Sequence, residues 1–196
     1  TLSSSSAASD VYKRQRQLGP KHALEVAELA AGLADQGVVG FGIGGSEDLG
    51  PTEWFGEAFR FARSRGLHLV AHAGETMGPE SVWGALKLGA ERIGHGIRAV
   101  EDRALLDHLR ERDIPLEICI SSNVATGAVR SLTEHPVRRI FEAGVPIVIS
   151  TDDPAMFRTT LTREYELAAR AFGFSEEELR GLVENSFRYA FSTVET

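Results

Sequence analysis

A chain of 196 residues, 42% hydrophobic and 25% charged, carries enough apolar material for one buried core of ordinary domain size. Its formal net charge of -7, with Lys and Arg scattered among acids, argues against nucleic acid or an anionic membrane as a partner. The lone Cys119 leaves no internal disulfide and no apolar run approaches the ~20 residues of a membrane span, so a reducing cytoplasm is the expected compartment.

In chain order, Ser3 to Ser9 is a Ser/Ala tract with no core pattern, followed by Asp10-Val11-Tyr12-Lys13-Arg14-Gln15. Ser5 to Gln15, SSAASDVYKRQ, resembles the in-frame translation of a transposon-end sequencing adapter. Residues 1–17 are therefore expected to be an artefactual or disordered segment, residues 18–196 the folded domain, and further native sequence is expected upstream. Pro20 opens a helix with an apolar stripe of Val26, Leu29, Ala30 and Leu33 that stops before Gly37. A strand over Val38 to Ile43 follows, then a helix with Phe55, Ala58, Phe59 and Ala62 on one face, then a strand over Leu67 to Ala71. Pro79 starts a helix with Val82, Trp83 and Leu86, leading to a short strand at Arg92 to Gly94. Leu105, Leu106 and Leu109 mark the next helix, before the strand Pro115 to Cys119. Val137, Ile140 and Phe141 give a short helix, and Val145 to Ile149 the last strand. Two helices finish the chain, one over Leu161 to Ala171 and one capped by Ser175 with Glu178 and striped by Leu179, Leu182, Val183 and Phe187. The strands are short continuous apolar runs, as when helices cover a parallel sheet, and the alternation predicts an α/β fold. Both a doubly wound sheet and part of an eight-stranded βα barrel fit it.

Polar residues directly follow each strand: Gly44-Gly45-Ser46-Glu47, His72-Ala73-Gly74-Glu75, His95-Gly96, Ser121-Ser122-Asn123 and Asp152-Asp153. In either architecture that is the edge where sites are built. His72 and Glu75 place an imidazole and a carboxyl at one strand end, a pair suited to a divalent metal and a proton shuttle. Asp152 and Asp153 end the apolar run VPIVIS, where adjacent carboxylates need a cation or hydrogen-bond donors; a helix N-cap before Pro154 is the alternative, with one aspartate free to cap while the other binds metal. The other histidines read as bland: His22 on an exposed helix, His68 pointing outward from the strand of His72, His108 among helix charges, His135 in a loop before Pro136. Glu80, Glu91, Glu117 and Glu164 read as solvated faces or helix ends.

HAGE, then RIGHG, then LEICISSN with TGA, HP and AGV, then STDDPAMF with EY, resemble in order and spacing the C-terminal motifs of the adenosine deaminase family, from about residue 38 to 192. The resemblance implies a partial (β/α)8 TIM barrel, strands four to eight with their helices. It implies one zinc ion per site, with His72 and Asp152 as metal ligands and Asp152 also a proton acceptor. Glu75 is then the proton donor to the purine ring, His95 the residue that orients the attacking hydroxide, Asp153 a hydrogen-bond partner of the purine, and Gly45 a backbone contact to substrate. The implied reaction is hydrolytic deamination of adenosine or a related 6-aminopurine, with adenine and 6-aminodeoxyfutalosine as alternative substrates and a non-catalytic degenerate homologue as the alternative of another class. The family's His-x-His, which supplies two further zinc ligands, is absent, so the chain by itself is expected to be inactive. Ile120 stands where the family usually has proline.

Overall fold

The computed structural model describes residues 10–191, with side chains from residue 16 onward. Its strands are β1 (Asp10–Gln15), β2 (Val38–Gly44), β3 (His68–Ala73), β4 (Arg92–His95), β5 (Leu116–Ile118) and β6 (Ile147–Ile149). They form one sheet in the order β1-β2-β3-β4-β5-β6, with every neighbouring pair parallel. A doubly wound sheet reverses its strand order at a switch point, whereas a barrel adds each strand beside the last. The unbroken order therefore decides for the α/β barrel architecture: an arc of a (β/α)8 barrel.

Strands β2 to β6 are the five expected from the apolar runs. The sixth, β1, comes from the segment set aside as adapter-like or disordered, and its backbone pairs with β2 from Asp10 to Gln15. The next residue, Arg16, is buried and donates to the carbonyls of Gly50 and His72, so the expected boundary after residue 17 does not coincide with a boundary in the fold.

The connecting helices are α1 (Gly19–Gly32), α2 (Gly56–Ser64), α3 (Pro79–Leu88), α4 (Arg103–Glu111), α5 (Ile120–Ala125), α6 (Val137–Glu142), α7 (Pro154–Phe157), α8 (Leu161–Phe172) and α9 (Glu176–Arg188). Their starts follow local chemistry. Asp102 caps α4 by accepting from the amides of Ala104 and Leu105, and Ser175 and Glu178 form the expected reciprocal capping box on α9. Two apolar stripes differ from expectation. On α1 the buried positions are Ala23, Ala27 and Ala30 while Leu29 is 53% exposed, because α1 approaches α2 and β2 closely and only small side chains fit between. On α9 Leu182 is buried and Phe187 is 76% exposed, since the helix meets β6 through Leu182 and the Asn185 bond to the Ile147 carbonyl.

Strand side chains alternate between faces. Phe41, Ile43, Leu69, Ala71, Ile93, Leu116, Ile118, Ile147 and Ile149 join the single core beneath the helices, where each fully buried large side chain contributes about 1.5–3 kcal/mol. Phe41 meets Phe59 of α2 edge-on at 5.5 Å. The intervening residues face the barrel interior, and the pairing His72↔Gly94↔Glu117↔Val148 lays one interior row across four strands. That row brings His72 to the same level as the ends of its neighbours.

Candidate active site

The interior is shaped for an imidazole at its upper row. A Cβ on Gly94 would lie 2.6 Å from His72 Cδ2, and one on Gly44 would lie 3.4 Å from the ring. Glycine on both flanking strands thus lets the His72 ring lie flat across the sheet. The ring of His95 meets it edge-on, with centroids 4.8 Å apart.

Past His72 the chain turns sharply to bring Glu75 over the same recess, and the turn is held by a carboxylate from the neighbouring strand end. Glu47, 3% exposed, accepts from the amides of Gly74 (2.9 Å), Glu75 (2.7 Å) and Thr76 (2.9 Å), and from the Ser81 hydroxyl at the start of α3. Glu75 Oε2 lies 3.5 Å from His95 Nε2. Burial pushes the Glu75 carboxyl above its ordinary value, His95 opposes the shift, and the charges of Asp152 and Glu47 add to it.

Among the described residues, His95 and Asp152 are two of four non-glycine residues with positive φ, at 63° and 56°. Backbone held in that region costs of order 1–3 kcal/mol and is found where a side chain must be aimed. At His95 the turn carries the ring from the strand end toward Glu75. Asp152 Oδ2 accepts from Ser122 Oγ at 2.7 Å.

The structure brings three of the sequence-derived residues into one tight set: His72, Glu75 and His95 each offer a donor atom within 4.8 Å of the others. Asp152 lies outside that set but close enough for its charge to act on Glu75. Asp153 takes the capping role, accepting from the Met156 amide at 3.0 Å, so the neighbouring aspartates diverge. Gly45 directly follows β2 with φ 85°, next to the Gly44 that lies against the His72 ring. Imidazole nitrogens and a carboxylate oxygen grouped in this way are donor types that a divalent cation takes.

Several residues read as bland prove to be buried and connected. His135 is linked to His95 through Asn123, which the strand-end pattern flagged without a role. Glu164, expected at a solvated helix end, is fully buried and accepts from the Ser121 amide at 3.0 Å, tying α8 to the start of α5. Glu117 pairs with Arg92 at 2.8 Å in the interior. His68, four residues from His72 on one strand, shares its face rather than opposing it, and pairs with Glu91 at 2.8 Å. His22 is exposed, as expected, and His108 packs beside Trp83.

The adenosine deaminase family model matches residues 11–196. An aminodeoxyfutalosine deaminase of Streptomyces coelicolor is 48% identical over 178 residues, 89% of this chain and 46% of that protein. An adenine deaminase of Rhizobium leguminosarum is 44% identical over 183 residues, 93% of this chain and 57% of its own length. An adenosine deaminase of Klebsiella pneumoniae is 46% identical over 84% of this chain and 50% of its own. Among solved structures, adenine deaminase from Arthrobacter aurescens superposes with a TM-score of 0.87 at 31% identity, over 93% of this chain and 56% of that one. An amidohydrolase from Burkholderia ambifaria with bound Zn superposes with a TM-score of 0.86 at 27% identity, over 92% and 51%. The chain belongs to the adenosine deaminase family. It spans about half the length of the curated relatives it matches.

Proposed function

We propose that this chain forms the ring-protonating half of a zinc-dependent site that deaminates adenosine or a close 6-aminopurine relative, with adenine and 6-aminodeoxyfutalosine as the alternatives. The observation that carries the reading is the approach of Glu75 to His95 at 3.5 Å in the recess beside His72, with burial raising the Glu75 carboxyl. A carboxyl so raised keeps its proton closer to neutral pH and suits donation to a ring nitrogen. Protonating the ring makes the amino-bearing carbon electrophilic. Water adds there, one of its protons leaves with the amino group as ammonia when the carbon–nitrogen bond breaks, and the other returns to Glu75 as the hydroxyl becomes a carbonyl.

His72 and Asp152 would hold zinc from this chain, together with ligands from outside it, and the ion when bound would lower the pKa of water. Asp152 also accepts the proton that water loses. Asp153, which also accepts from the Met156 amide, is the hydrogen-bond partner of the purine, and Gly45 lets backbone approach the ring closely. The test is ammonia release from the three aminopurines by the full-length protein that carries this chain. One of them is expected to turn over, and Glu75→Gln is expected to lower kcat by about 10²- to 10⁴-fold. Amide hydrolysis that proceeds unchanged in Glu75→Gln, with no deamination by either protein, would sink the reading. The chain by itself is expected to release no ammonia.

A further inference from the structure

Nothing in the family resemblance gives a role to His135 or Asn123. We infer that Asn123 and His135 are positioning residues that lock His95 into the tautomer carrying its proton on Nε2, so that His95 offers the site a hydrogen-bond donor and no lone pair. The proposal rests on reading the recess around His72 and Glu75 as the active site.

The Val137 amide fixes the direction of the whole relay. The backbone amide of Val137 donates to His135 Nδ1 at 3.2 Å, and an N–H can only donate. His135 Nδ1 is therefore an acceptor, and the neutral ring carries its proton on Nε2. That nitrogen lies 3.1 Å from Asn123 Oδ1, which accepts. The orientation of the amide follows, because turning it over would set its NH₂ against the His135 N–H. Asn123 Nδ2 then faces His95 Nδ1 at 3.0 Å and donates to it. With Nδ1 occupied as an acceptor, neutral His95 carries its proton on Nε2, the nitrogen 3.5 Å from Glu75 Oε2.

The relay is sealed from solvent. Asn123 is 0% exposed and His135 4%, and the His135 ring packs edge-on against Phe172 at 5.8 Å. Burial holds His135 down at about 4, with His95 contributing, so the ring stays neutral where a second proton would collide with the Val137 amide. The consequence for the site is a division of labour. A protonated Nε2 does not coordinate a metal, so within the set of His72, Glu75 and His95 the cation falls to His72 and not to His95. His95 instead donates toward an oxygen, from water or from Glu75. The same ring on the opposite tautomer would present a lone pair there and compete for the metal.

The test is long-range proton–nitrogen NMR of this chain with ¹⁵N-labelled histidine at pH 8, without zinc or substrate. The protonated and bare ring nitrogens of each histidine are resolved by their ¹⁵N shifts. Expected for the unaltered chain is Nε2–H on both His95 and His135. Asn123→Asp replaces the donor with an acceptor and is expected to move the His95 proton to Nδ1. His135→Phe frees the Asn123 amide to turn and is expected to give a mixture at His95, while the signals of His22 and His108 stay in place and report an intact fold. A His95 spectrum already showing Nδ1–H in the unaltered chain overturns the proposal even if no variant folds. So does Nε2–H that persists unchanged in a folded Asn123→Asp. Because the readout uses neither metal nor turnover, failure of the deaminase reading leaves it standing, and its own failure leaves the deaminase assay untouched.

Discussion

Replacing Glu47 by glutamine tests whether a buried carboxylate holds the turn that carries Glu75. The side chain is almost fully buried, and its Oε1 serves the amides of Glu75 and Thr76 while Oε2 serves Gly74 and the Ser81 hydroxyl. Glutamine keeps the shape and one carbonyl oxygen, which can turn to the Oε1 amides. Its NH₂ group then faces the Gly74 N–H, while the Ser81 hydroxyl can rotate to accept. One buried amide is left without an acceptor and the remaining bonds lose their charge assistance, a cost of about 2 kcal/mol. The opposing effect is relief of a buried charge, which stabilises the variant if the donors compensate the carboxylate poorly. Five donors at one carboxylate, the fifth being the Met77 amide at 3.5 Å, with Arg16 among the charges acting nearby, favour net loss. In urea the midpoint should fall by roughly 1 M at unchanged slope, taking about 2 kcal/mol/M for the slope. An unchanged or higher midpoint would refute the claim that Glu47 holds the turn.

Acid should weaken the fold through His135. Its folded value of about 4 lies below the ordinary imidazole value of 6.5, so the unfolded chain takes up a proton that the folded chain refuses. Stability is therefore complete above about pH 6.5 and declines as pH falls toward 4, by on the order of 3 kcal/mol from this residue. Urea midpoints at pH 7, 6 and 5 measure the slope, and a His135→Phe protein that declines as steeply contradicts the assignment. Gly94→Ala should push the His72 ring out of place, because the new methyl would sit 2.6 Å from Cδ2. A cost of about 1–3 kcal/mol and at least a tenfold loss of zinc affinity, read by competition with a chromophoric chelator, are expected, and unchanged affinity would show that the ring has room.

The sequence by itself determined the features that depend on near neighbours along the chain. Five of the six strands, the Ser175–Glu178 capping box, the candidate cap at one of the two aspartates before Pro154 and the strand-end positions of His72, Glu75, His95 and Asp152 all follow from spacings of a few residues. Within that range, periodicity and cap chemistry act directly on the backbone. The order of the strands did not follow, since apolar runs covered by helices look alike in a barrel and in a doubly wound sheet, and only the pairing of each strand beside the last separates them. Nor did the supports of the site. Glu47 reaches amides 27 to 29 residues away, Glu164 an amide 43 away, and the bond from Asn123 to His95 spans 28. Such groups carry no periodic signature. A buried polar side chain is satisfied by whatever packing brings to it, so His135 reads as a loop histidine until β4, α5 and α6 close around it.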